Sequence, residues 1–189
     1  MKIMKKIILL AATIILGSQT LLAQFSVPVD KSPPDVSYYP VNYPSMKLRG
    51  TKEVPVMRVF YSRPYKNGRE LFGTNFVPFG KVWRLGANEA TEIDFFTDVT
   101  VNGKKIDKGR YTLYCIPQEN EWTFIISRET DIWGSFKYDE AKDVVRVSVP
   151  EKEVKEPIES LTITFEKTAS GANLLAGWDK KTASFPVNF

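Results

Sequence analysis

The chain has 189 residues, the size of one domain, with 26 Lys and Arg against 22 Asp and Glu, one cysteine and no histidine. The missing imidazole excludes Ser-His-Asp and Cys-His catalysis and every His-ligated metal centre; the single cysteine excludes an intramolecular disulfide, thiolate zinc sites and iron–sulfur clusters. Much of the formal charge of +4 sits at the amino terminus, which leaves no global electrostatic argument for nucleic acid or an anionic membrane as partner.

Met1 to Lys6 carries Lys2, Lys5 and Lys6 and no acid, Ile7 to Leu16 is apolar apart from Thr13, and Leu21-Leu22-Ala23 precedes Gln24. A cationic head, a short apolar run and a small residue at the exit read as a secretory signal peptide over residues 1–23. The run is shorter than the roughly 20 apolar residues a spanning helix needs, and no cysteine lies at the cut to receive lipid. Cleavage leaves 189 less 23, or 166 residues, with 26 less three, or 23, basic side chains against 22 acidic ones, a formal +1. The expectation is a periplasmic or secreted protein with no transmembrane helix after cleavage and no nucleic-acid partner.

Residues 24–50 hold Pro28, Pro33, Pro34, Pro40 and Pro44 with Tyr38, Tyr39 and Tyr43. Proline has no N–H to give a ladder, so this stretch is expected to be extended or coiled and to lie along the body of the domain.

Residues 51–189 alternate with a period of two. Val54 to Tyr61 is apolar on both faces, as a central strand is, and Thr91 to Phe95 alternates. Val99-Thr-Val101 meets Asn102-Gly103, a hairpin signal because both positions tolerate positive φ. Arg110 to Ile116 carries Cys115 on the same side as Tyr111 and Leu113, the setting of a small core residue. Trp122, Phe124 and Ile126 share a face, as do Val145, Val147 and Val149, and Leu161, Ile163 and Phe165. Gly171 separates that last run from Asn173 to Trp178, and Ala183, Phe185, Val187 and Phe189 mark a final strand that Pro186 suggests is an edge. Helical turns are expected near Asn67 to Phe72 and Asp139 to Lys142, the latter with Asp139, Glu140 and Asp143 capping it and not binding metal. Eight or more short strands predict an all-β, single-domain antiparallel sandwich, jelly-roll-like or a partly closed barrel.

Phosphate-cradling glycine loops, the S-x-x-K pattern and calcium-loop spacing are all missing from the chain, so no cofactor and no metal are expected. One segment concentrates chemistry. Ser62 to Thr91 is a long connection between strands, and connections this long in compact domains are often functional. It gathers Arg63, Arg69, Trp83, Arg84, Asn88 and Glu89, punctuated by Gly68, Gly73, Gly80 and Gly86. Guanidinium forks suit carboxylates, phosphates or sugar hydroxyls, and an indole offers a flat apolar face. In one reading these arginines bond carboxylates and loop carbonyls, pinning an irregular connection, and Trp83 is core. In the other they line a pocket for a small anionic or carbohydrate ligand. Glu89 as an acid or base beside the arginines is a third.

Tyr61-Ser-Arg-Pro64, Gly68-Arg69, Phe72-Gly73, Gly80-Lys-Val-Trp-Arg84 and Gly86-Ala-Asn-Glu-Ala-Thr91 resemble the exported bacterial family of domain of unknown function 2911 (DUF2911). So do Asn102-Gly-Lys, Gly109-Arg-Tyr-Thr-Leu, Trp133-Gly-Ser-Phe-Lys-Tyr-Asp139 and Asp143-Val-Val-Arg-Val. The resemblance implies an envelope protein and supplies no catalytic residue. The leading expectation is a non-catalytic binding or structural module. The alternatives are a carboxylate-based hydrolase or lyase of a periplasmic saccharide or ester using Glu89, and a protein-interaction subunit docking by residues 24–50.

Overall fold

The computed structural model describes residues 27–189; the leader expected over residues 1–23 lies outside them. Residues 31–189 form one unit built from ten strands. β1 (Pro34–Tyr39), β2 (Met57–Ser62), β3 (Glu92–Phe95), β6 (Gly109–Pro117), β7 (Glu121–Ser127) and β8 (Asp143–Pro150) make a six-stranded antiparallel sheet in that order. β4 (Val99–Val101), β5 (Lys104–Ile106), β9 (Lys152–Lys167) and β10 (Gly171–Asn188) make a second sheet in the order β5-β4-β10-β9. The architecture is all-β, two antiparallel sheets with minimal helix, as the alternation predicts. The first sheet is a meander interrupted by the β4–β5 hairpin, which turns at Asn102-Gly103 and belongs to the opposite layer.

The alternation places one side of each strand in the core. Met57, Val59 and Tyr61 of β2, Ile93 and Phe95 of β3, and Trp122, Phe124 and Ile126 of β7 face the second sheet, all at most 2% exposed. Leu161, Ile163 and Phe165 of β9, with Phe185 and Val187 of β10, meet them. Cys115 is fully buried there, and burial pushes its thiol well above the ordinary range. At the centre Trp83 stacks on Trp178, centroids 6.1 Å apart, and stands edge-on to Trp122 at 6.3 Å.

The Pro/Tyr-rich segment lies along the body of the domain, partly extended as expected, and adds a short helix that was not expected. Pro34–Tyr39 pairs with β2 from Pro34↔Ser62 to Tyr39↔Met57, so the sheet begins inside the segment. A six-residue helix, α1 (Tyr43–Leu48), follows. Its signals are present in the sequence: Pro44 in the first turn, Lys47 in the last and Gly50 after it. Proline is tolerated in β1 because it is an edge strand.

Two further expectations are corrected. No helix forms over Asn67 to Phe72: Asn67-Gly68 is a turn with φ of 50° and 69°, and Phe72 bridges Val77. The two strands expected on either side of residue 180 are one, β10, bent by irregular pairing with β9 between Gly177 and Lys181, where Asp179 has φ of 53°. β10 is therefore flanked by β4 and β9 rather than at an edge; Pro186 lies between its pair with β9 at Thr182 and its pair with β4 at Asn188. The 3₁₀ turn Glu140–Lys142 forms as expected, with the Asp139 carboxylate accepting from the Ala141 N–H at 3.0 Å.

One of the two edge strands of the smaller sheet is β9. Its first half, Lys152 to Glu156, is charged at four positions and is followed by Pro157; these charged side chains and the proline are exposed.

Candidate functional site

The long connection does not swing free. Arg69 donates from Nε to the Lys66 carbonyl at 2.9 Å and from its NH2 nitrogen to the Tyr65 carbonyl, and its guanidinium lies 4.5 Å from the centroid of Phe76. Arg63 donates to the Leu161 carbonyl at 3.0 Å, to Asp35 at 2.9 Å and to Thr162 Oγ1 at 3.0 Å, joining β1 to β9 across the seam between the sheets. Trp83 exchanges both backbone hydrogen bonds with Cys115 at 2.7 and 2.9 Å, so residues around it extend the line of β3 beside β6. Residues 85–90 then leave the sheet as a loop, closed where the Thr91 N–H meets the Arg84 carbonyl at 3.0 Å and Thr91 Oγ1 donates to the Leu85 carbonyl at 2.7 Å. Leu85 and Asn88 adopt positive φ to make it.

Of the six candidate residues, Glu89 lines a groove of about 500 Å³ on the outer face of the six-stranded sheet. Arg63 and Arg69 are committed to bonds elsewhere, Trp83 is in the core, and Asn88 holds the Gly134 N–H through its carbonyl at 3.0 Å. Arg84 is half-buried, its Nε enclosed and without a hydrogen-bond partner among the described residues, and burial lowers its pKa. The six do not converge on one pocket.

What does converge follows from register. The outward positions of neighbouring strands line up as Val36↔Phe60↔Glu92 and Arg58↔Asp94↔Arg110. Arg58 donates to Asp94 at 2.6 Å, a bond that raises the guanidinium above its ordinary pKa. Arg110 reaches Glu92 at 3.4 Å and Asp131 at 2.6 Å, while Glu92 accepts the Asp131 N–H at 2.8 Å. Glu92 and Asp94 side chains are 15% and 17% exposed, so the carboxylates form the floor and the half-exposed arginines the upper edge. Val36, Phe60, Ala90 and Ile132 supply apolar lining. The pairing register sets Arg58, Glu92, Asp94 and Arg110 side by side, and the loops carrying Glu89 and Asp131 bring the carboxylates around the groove to four against two guanidiniums.

Further along the same face lies a tighter network. Tyr138 donates to Asp143 at 2.6 Å, and Arg146 bonds both Asp143 at 2.7 Å and the Tyr138 oxygen at 2.6 Å. Burial raises the Tyr138 phenol, reinforced by its bond to Asp143. Tyr114, fully buried and edge-on to Tyr138, has a hydroxyl without a partner among the described residues; burial, then the Glu129 and Asp143 charges, push it up to about 12. One oxygen each of Glu129 and Asp143 is likewise buried and unpartnered. Among the described residues no group of His, Cys, Asp and Glu is placed to hold a metal ion, and no helix is long and apolar enough to cross a membrane.

A family model described as protein of unknown function (DUF2911) matches residues 44–187. No curated protein and no solved structure matches the chain.

Proposed function

Because the chain belongs to the DUF2911 family, whose description carries no activity, we propose a role from its own surface: an exported binding module that holds an uncharged, polyhydroxylated ligand in the groove above Phe60. The observation that carries this is the alternation Arg58–Asp94–Arg110 with Glu92 and Asp131 over an apolar strip. A sugar hydroxyl both donates and accepts, and this wall offers carboxylate acceptors beside guanidinium donors at one spacing. Four carboxylates against two guanidiniums disfavour an anion, so of the two ligand classes expected from the sequence the polyhydroxylated one fits better. The volume suits a small ligand. The leader supports export, with Gln24 as the expected first residue of the mature chain; amino-terminal sequencing of protein from the envelope fraction tests this.

Titration calorimetry with cellohexaose, chitohexaose and maltohexaose tests the groove. Arg110→Ala is expected to weaken whichever oligosaccharide binds by about 10- to 100-fold, the scale of losing hydrogen bonds to a charged group. Unchanged affinity in a folded Arg110→Ala protein would place the ligand elsewhere.

Glu89 stands on the same groove, which supports a second reading: a hydrolase or lyase in which this carboxylate gives or takes a proton. Chromatography of oligosaccharides after long incubation separates the two. Products that vanish in Glu89→Gln favour catalysis; intact oligosaccharide favours a binding module.

A further inference from the structure

Three of the four tryptophans are core residues, Trp83, Trp122 and Trp178 being at most 4% exposed. Trp133 is 63% exposed. Its exposure is built and not a frayed end. The backbone around it is pinned to the loop of residues 85–90: Trp133 bridges Glu89, the Ala90 N–H meets the Ile132 carbonyl at 2.8 Å, and the Gly134 N–H meets the Asn88 carbonyl at 3.0 Å. Ser135 Oγ donates to the Val82 carbonyl at 2.9 Å. Gly134 takes φ of 70°, the left-handed conformation that favours glycine, and the Phe136 ring folds back over it, 2.5 Å from where a Cβ would stand. Phe136 is itself 84% exposed.

The place of this turn gives it meaning. Asp131 and Ile132, immediately before Trp133, line the groove, and so do Glu89 and Ala90 opposite. Two rings held on a fixed backbone are too little apolar area for a stable protein interface. They suffice to stack one or two sugar rings, whose axial C–H groups present an apolar, weakly positive face to an indole.

We infer that Trp133 is the stacking platform at the rim of the groove, and that the ligand is therefore an oligosaccharide of pyranose rings. This rests on the groove reading: hydroxyls of one ring engage the Arg110–Asp131 pair while a ring beside it lies on the indole.

Trp133 is the exposed one of four tryptophans, which makes it a reporter. Acrylamide quenching of the mature chain is measured with and without saturating cellohexaose, chitohexaose or maltohexaose. Bound oligosaccharide is expected to shield the quenchable emission, and Trp133→Phe to remove most of that emission while leaving the fold intact. Trp133→Ala is expected to weaken the oligosaccharide at least tenfold and Trp133→Phe less. Sorbitol, an acyclic polyol, is expected to give no shielding. Binding that depends on Arg110 but is unchanged in Trp133→Ala, with Trp133 still quenchable, overturns the platform and leaves the groove reading standing. Failure of all three oligosaccharides to bind overturns both. Concentration-dependent self-association of the wild type, lost in Trp133→Ala, would show a contact between copies and also overturns the inference.

Discussion

Arg63 and Tyr114 show how differently two buried or half-buried polar groups act on the same fold. Arg63 closes the seam with three side-chain hydrogen bonds, and Arg63→Ala is expected to cost about 1.5–3 kcal/mol in urea denaturation, with Arg63→Lys recovering part of it because an ammonium cannot reproduce the fork. Tyr114 has a buried hydroxyl and no bond for it, so Tyr114→Phe is expected to raise the melting temperature rather than lower it. The titration has a definite sign. The folded-state pKa is raised to about 12 from an ordinary 10.0, so the folded chain holds this proton longer than the unfolded one. Its contribution is intact below pH 10 and lost as pH rises from 10 to about 12; Tyr114→Phe is expected to flatten that limb of the stability profile. At this scale the sequence was only partly legible. Spacing marks Arg63 as chemically loaded, but its partners Asp35, Leu161 and Thr162 come from strands at the two ends of the chain, which no local pattern reveals.

At the scale of elements the period-two runs were clear wherever one face is buried. Trp122 to Ser127 reads directly as β7, and Asn102-Gly103 as the β4–β5 turn, because burial and turn geometry leave local marks. β10 did not, since a bent strand interrupts its own alternation between Gly177 and Lys181. Its start depends on Gly171, where a Cβ would fall 2.1 Å from the Val187 carbonyl oxygen, a backbone atom of the same strand's far end. Gly171→Ala is expected to destabilise by more than about 2 kcal/mol, measured as a fall in the urea midpoint with an unchanged slope. The groove was illegible for a related reason. Glu92, Asp94 and Arg110 are unremarkable outward residues until antiparallel register sets them side by side.

Residues 31–189 form a sandwich whose single thiol sits in its core. Cys115 is fully buried, so labelling by a thiol reagent is expected only when the sheets part, and its rate under native conditions should track the stability measured by urea. Burst labelling in the absence of denaturant would show an opening between β6 and the Trp83 segment that the fold does not suggest. The layered architecture was legible because alternation records which side of each ribbon is dry. Strand order was not, since β1 and β9 carry no mark of being outermost except proline and charge. That mark on β9 has a consequence of its own. A row of unpaired backbone groups is a template for further chains, and Lys152, Glu153, Lys155, Glu156 and Pro157 sit where a second molecule would add. Replacing Lys155 and Glu156 with valine is expected to convert a well-behaved solution into one that forms fibrils or precipitates as concentration rises, with little change in the melting of dilute protein. The charges along this ribbon thus guard solubility more than they guard the fold.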